Sequence, residues 1–490
     1  MPDDNVRIDP EFQSSRTYVH ERRGPGNVRI AAVAIGIAVF ALGWIFGVAT
    51  PSEEIAAPAT STSAPPLWNT TSTTTVGAAR TGVPAAAVRL PSALGAAVPG
   101  FSDAITLVVE GADTVEIVRW LPTRPEPETL VSIDRTGFPE QSGPDSPSST
   151  CLDASGRWYA LALDSGTLEV GPLPANGGEQ QDLGATQTIA RPAGVRIETP
   201  TWHATEPGKL MWLESQPDGG ASLVALRTPE APGVEDLAVQ IVADGLAIEE
   251  WAGITSWIAP GIVLERSPGV GGSAGCVIFD DDGTEVARMP GLACIAQAPD
   301  GTTLWSPTAA TSGTGYEPFL LSLDGRRCVE LSYLESGERV CRAAWSPSGD
   351  RLAMSLGQSS NGPRLRIVES ASGERVFDAP ILMESCCALA WSPDGTRVAL
   401  AARSTGSGSQ IFIAEPGNQS LGMGHSETRF GDPGCTQALL WSTDGRFVVA
   451  PVWHPLSATS ALTILDTDRG FEVSIPVSGR LIDTRIDGRA

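Results

Sequence analysis

From about residue 100 onward the chain alternates short apolar runs with clusters of turn residues. One unit can be read almost in full. Ala388–Trp391 reads as a first strand, Arg397–Ala402 as a second and Gln410–Ala414 as a third, with a fourth expected near Glu427–Phe430. In the unit before it the fourth strand reads at Glu374–Phe377. Runs such as Val398-Ala399-Leu400-Ala401-Ala402 are apolar at consecutive positions, as expected of strands covered on both faces. Ile105–Glu110, Thr114–Trp120 and Glu128–Ile133 give three more strands at the start of the region, and Arg480–Ile486 gives one at its end.

Between first and second strands the same string recurs. It reads Trp391-Ser392-Pro393-Asp394-Gly395, Trp345-Ser346-Pro347-Ser348-Gly349 and Trp441-Ser442-Thr443-Asp444-Gly445, with a degenerate copy at Gln297-Ala298-Pro299-Asp300-Gly301. The chemistry is that of a tight turn: Pro presets φ, Asp bonds nearby backbone, and Gly adopts positive φ without a Cβ clash. With the first residue of each string as a phase marker, the series is Leu152, Trp202, Trp251 or Trp257, Gln297, Trp345, Trp391 and Trp441. The mean step is about 48 residues, a period that with four short strands per unit signals a β-propeller. The fold expected is therefore all-β, a propeller of seven or eight four-stranded blades. It has eight if the first three strands and Arg480–Ile486 join to close the ring, and seven if the N-terminal strands form an accessory hairpin. The repeat-defining residues Trp345, Trp391, Trp441, Gly349, Gly395 and Gly445 are assigned structural roles, the tryptophans as wedges between blades.

These repeats resemble the WD40-like (PD40) units of TolB-type propellers of bacterial envelopes. The resemblance spans roughly residues 100–490 and is strongest in the units beginning at Trp345, Trp391 and Trp441; those before Gln297 depart from the consensus. It implies an extracytoplasmic interaction scaffold and does not by itself imply an enzyme.

Upstream of the repeats the text is different. Residues 1–29 balance five arginines against five acids and read as a disordered tail. Residues 30–50 carry no charge and, at about 1.5 Å per residue, would span roughly 30 Å as a helix, the thickness of a bilayer core. Arg22, Arg23 and Arg29 precede this run and Glu53 and Glu54 follow it, which places the N-terminus in the cytoplasm and the rest outside. Gly47-Val48-Ala49 has the form of a signal-peptidase site, but the apolar run exceeds a usual signal core, so an uncleaved single-pass anchor is expected. Residues 51–98, rich in Ala, Thr, Ser and Pro, read as an extended stalk, and 99–490 as the propeller.

Charge and candidate chemistry narrow the function mostly by exclusion. The net charge of −24 lies entirely beyond the tail and argues against binding through nucleic-acid phosphates. All eight cysteines follow the apolar segment, which favours disulfides over free thiols, with Cys328–Cys341 and Cys276–Cys294 as the expected pairs. A zinc site lacks any Cys-x-x-Cys pair, and the three histidines beyond the anchor (His203, His425, His454) fall in different repeats. Gly271-Gly272-Ser273-Ala274-Gly275 matches the nucleophile-elbow string, but in a loop between strands rather than ahead of a helix. Asp280-Asp281-Asp282-Gly283 reads as a hairpin turn in preference to a calcium loop. No catalytic residue, metal or cofactor is assigned. The expectation is a non-catalytic scaffold binding a protein or glycan at a propeller face; the rival is a propeller hydrolase or lyase acting at the channel mouth.

Overall fold

The computed structural model describes residues between Val98 and Asp487, apart from connecting segments such as 135–150, 175–185, 229–237, 267–274 and 308–317. The tail, the apolar run 30–50 and the stalk up to residue 97 lie outside the described residues. Among the described residues no helix is long and apolar enough to cross a membrane.

The strands form eight antiparallel sheets. Blade 1 combines the two ends of the region: Arg480–Asp487 is innermost, followed outward by Ala104–Glu110, Thr114–Trp120 and Glu128–Asp134. Ile105 pairs with Ile486 and Leu107 with Thr484, so of the two alternatives left open by the sequence the C-terminal strand takes the one that closes the ring. This pairing leaves no open edge at the seam where the chain begins and ends. Blade 2 has three strands, Trp158–Asp164, Thr167–Pro172 and Gln187–Ala190, plus a single bridge from Leu152 to Tyr159 where its inner strand would run. The inner strands of blades 3 to 7 are Arg196–Trp202, Trp251–Ile258, Leu292–Gln297, Arg339–Trp345 and Ser385–Trp391. In blade 8 the inner strand is split into Cys435–Thr436 and Leu440–Trp441.

The predicted markers fall at or near the ends of inner strands, except Leu152, which makes only the single bridge of blade 2. Trp257 rather than Trp251 takes that place in blade 4, since Trp251 opens its strand. The fourth strand described in the unit at Trp391 is Ser420–Ser426, and the expected Glu427–Phe430 lies outside the described residues. The strand starts as soon as the Pro416–Asn418 turn ends, because this hairpin connection is short.

The apolar core lies between blades. Val398, Leu400 and Ala402 of one strand pack toward blade 6 with Leu365, Ile367 and Phe377. The alternate residues Ala399 and Ala401 pack toward blade 8 with Trp441, Val448 and Ala450. Successive side chains point to opposite faces, and both faces are covered, which explains the apolar runs without alternation.

Candidate binding site at the channel end

The turns that join first to second strands gather on one face of the ring. Gly349, Gly395 and Gly445 hold φ of +75°, +70° and +71°, the left-handed region that glycine adopts without strain. The serine after Trp345, Trp391 and Trp441, which the sequence reading passed over, is the clamp of the turn. Buried Ser346, Ser392 and Ser442 accept the backbone N–H of Arg351, Arg397 and Phe447 at 3.0, 2.9 and 2.8 Å. Asp153 takes the same post in blade 2, accepting the N–H groups of Arg157 and Trp158. In blade 3 His203 Nδ1 accepts the Glu206 N–H, so this histidine caps a turn. Partial burial pushes the Asp394 carboxyl up, but bonds from Ser392 and Thr396 and the charge of Arg397 outweigh it and hold it below the usual range.

The tryptophans are wedges. Trp391 Nε1 donates to the carbonyl of Ala344 at 2.8 Å, Trp441 Nε1 to Ala390 at 3.1 Å and Trp202 Nε1 to Cys151 at 3.2 Å. In each case the acceptor is the residue just before the marker of the preceding blade. Arg397 adds a second stitch from blade 7 to blade 8, donating to Thr467 Oγ1, Asp468 and the Gly445 carbonyl while lying over the Trp441 ring.

A cavity of about 410 Å³ opens among these inner-strand ends. Leu152, Trp391, Leu439 and Trp441 give it apolar walls, and Asp483, Thr484 and Arg485 of the closing strand supply polar groups. Asp483 accepts the Leu152 N–H at 3.0 Å and the Thr484 N–H at 2.8 Å. Burial pushes its carboxyl up to about 6, against the opposing pull of those N–H groups and of Arg485. Arg485 donates to the Asp153 carbonyl, tying blade 1 to blade 2. The buried Thr484 hydroxyl has no hydrogen-bond partner. Sequence reasoning found the strand Arg480–Ile486 but not this site. Which of its residues face the channel depends on its becoming innermost, and only the closed ring decides that.

The cysteine expectation needs correction for one pair. No disulfide joins Cys328 to Cys341. Cys328 opens the outermost strand of blade 5, whereas Cys341 lies on the innermost strand of blade 6 with its Sγ over Gly357 of its own sheet. The two strands belong to different sheets and are not hydrogen-bonded neighbours, whereas a disulfide needs Cα atoms within about 7 Å. Cys276 is buried on the third strand of blade 4 and Cys294 lies on the inner strand of blade 5, but the Cys294 side chain lies outside the described residues. Ser273 and Asp281–Gly283 also lie outside them. A strand, Gly275–Asp280, follows Ser273, and Asp280 Oδ1 accepts the Thr284 N–H at 2.7 Å. Among the described residues no group of three or more His, Cys, Asp or Glu side chains is placed to share a metal ion.

No protein-family model matches the chain, and no curated protein does. Solved structures similar to it include a eukaryotic initiation factor, at 12% identity and TM-score 0.48, covering 79% of this chain and 98% of that one. TolB from Acinetobacter baumannii is similar at 14% identity and TM-score 0.35, covering 78% and 82% of the two chains. An oligogalacturonate lyase in complex with manganese is similar at 14% identity and TM-score 0.41, covering 77% and 98%. All three TM-scores lie below 0.5, so the propeller architecture rests on the eight sheets and the closed ring.

Proposed function

We propose that this chain is a single-pass, membrane-anchored propeller that works outside the cell membrane by binding a protein or glycan, not by catalysis, with the channel-end cavity as the seat of the bound group. The observation that carries this reading is the cavity itself. It combines apolar walls with a few convergent polar groups, the usual makeup of a binding pocket. The Thr484 hydroxyl is buried there without a partner, a deficit that a ligand's hydrogen-bonding group would satisfy. The net charge of −24 favours partners that present a basic face.

The test uses the full-length protein crosslinked in its native membrane, with crosslinks mapped by mass spectrometry. The reading requires crosslinks that reach residues around the cavity. It also requires that Thr484→Val, which keeps shape but removes the hydroxyl, lower their yield at least fivefold without lowering Tm. Crosslinks confined to other faces, or a yield indifferent to Thr484→Val, would overturn it. Retention of the protein in membranes after alkaline carbonate extraction checks the anchor separately.

A further inference from the structure

Blade 6 departs from its neighbours at its outer rim. Its third and fourth strands are Arg364–Glu369 and Arg375–Pro380, joined by a short turn. At one cross-strand position blade 7 pairs Phe412 with Met423 and blade 8 pairs Thr463 with Ser474, whereas blade 6 pairs Arg366 with Asp378. Three guanidinium groups converge on that carboxylate. Arg364 Nε donates to Asp378 Oδ1 at 2.8 Å, and Arg366 Nη2 and Arg375 Nη1 donate to Oδ2 at 3.1 and 3.0 Å. Arg366 also donates to buried Glu338 at 2.9 Å. Among the described residues the cluster brings three guanidinium groups to two carboxylates.

A second departure faces the same place. The fourth residue after the third strand has positive φ in blades 6, 7 and 8. Blades 6 and 8 use glycine there, Gly373 at +72° and Gly470 at +63°. Blade 7 uses Gln419, at +51°, the one non-glycine with positive φ among the described residues. This conformation costs a non-glycine residue about 1 kcal/mol or more. Its side chain offsets that by donating from Nε2 to the Val376 carbonyl of blade 6 and to Pro416, both at 2.8 Å. Gln419 thereby becomes a wall of a cavity of about 340 Å³ lined by Arg364, Arg375, Val376, Phe377 and Asp378. Two blades that need only a turn use glycine at this position. The blade that borders the arginine cluster does not.

We infer that this rim cavity between blades 6 and 7 binds a small oxyanion group (carboxylate, sulfate or phosphate), with Arg375 and Arg364 as its charge partners and the Gln419 turn as its wall. Guanidinium forks match such groups in shape and donate to them in pairs. Arg375, with a side chain 55% exposed, is the arm free to swing onto an incoming anion, while Asp378, only 12% exposed, keeps the cluster assembled in its absence. The site is separate from the channel end, so it stands or falls apart from the function proposed above.

The experiment titrates the full-length protein in detergent with sodium sulfate, inorganic phosphate and sodium acetate in turn, at ionic strength held constant with chloride, and follows Tm and binding heat. The expected result is saturable binding of at least one of these anions, weakened at least tenfold by Arg375→Ala and at least threefold by Gln419→Gly. Arg469→Ala, which removes an exposed arginine from the corresponding hairpin of blade 8, leaves affinity within twofold. The order of the three anions tells a carboxylate site from a sulfate or phosphate site. Absence of saturation beyond the chloride control, equal loss with Arg469→Ala, or unchanged binding in either pocket variant overturns the inference.

Discussion

The seam between blades 6 and 7 and the seam between blades 5 and 6 are built from the same repeat, and they are held differently. At the first, Trp391 reaches back to the Ala344 carbonyl, and Ser392 clamps its own turn. At the second, Trp345 is just as deeply inserted, packed with Leu304, Leu320, Val340 and Leu352, yet its Nε1 has no acceptor. Blade 5 has Gln297 at the marker position and Ala298 where the clamp serine belongs, so its turn lacks the hydroxyl. That turn also closes one residue sooner, from the Ala298 N–H to the Thr302 carbonyl, whereas the blade 7 turn closes from Ser392 to Arg397. Apolar burial suffices to seat a blade. The directional bond is missing at the seam with blade 5, although Trp202 makes one to Cys151 between two units that also depart from the repeat.

The sharpest way to break this comparison is to trim both indoles. Trp391→Phe and Trp345→Phe lose the same volume, but only the first strands a buried carbonyl. The first is expected to be the more destabilising by about 1–3 kcal/mol, read from urea midpoints at unchanged m. Equal losses would mean that the Trp391–Ala344 bond contributes nothing. Next in size is the clamp. Ser392→Ala leaves the Arg397 N–H without its acceptor and is expected to cost about 1–2 kcal/mol. The reverse change, Ala298→Ser, is expected to stay within about 0.5 kcal/mol of the parent, because the shorter turn presents no N–H at the matching distance. A gain from Ala298→Ser comparable to the Ser392→Ala loss would show that the two turns are interchangeable.

The same contrast explains what the sequence made legible. Turn glycines and marker tryptophans were readable because each rests on local chemistry or on a period repeated through the chain, whereas ring closure stayed one of two alternatives. Trp391 as a wedge followed from its place in the repeat; its acceptor, one residue before the previous marker, did not. A side chain-to-carbonyl bond across blades depends on the relative height of two strands, which no single repeat encodes. The Ser clamp was visible in the string Trp-Ser-Pro but was masked by the stronger signals of Pro, Asp and Gly beside it. The Cys328–Cys341 expectation failed for a related reason. Thirteen residues of separation look short along the chain, yet the connection runs from the rim of one blade to the hub of the next. Asp483 and Thr484 were invisible as a site, since they acquire their neighbours Leu152 and Trp441 only when the last strand enters first position in the ring.

The closing seam, between blades 1 and 2, offers the smallest and most specific test, because its polar bond titrates. Asp483 carries a carboxyl raised to about 6 by burial, and it accepts the Leu152 N–H across the seam. A raised carboxyl means that the folded state holds its proton where the unfolded chain has released it. Stability from this group is therefore full below the ordinary aspartate range and falls as pH rises from about 4 to about 6, then levels off. Asp378, Asp394 and Asp466 have the opposite shift and lose their contribution as pH falls, so the raw Tm profile of the protein mixes both signs. Subtracting the profile of Asp483→Asn isolates the seam. The parent-minus-variant difference in Tm is expected to be most favourable to the parent near pH 4, to shrink by a few degrees up to pH 6, and to stay constant to pH 8. A difference that grows with pH would mean that the ionised carboxylate, accepting the Leu152 and Thr484 N–H groups, is the form the closed ring prefers. The closing seam would then resemble the Asp394 turn, a carboxylate held ionised by its donors, and not a carboxyl buried against its neighbour.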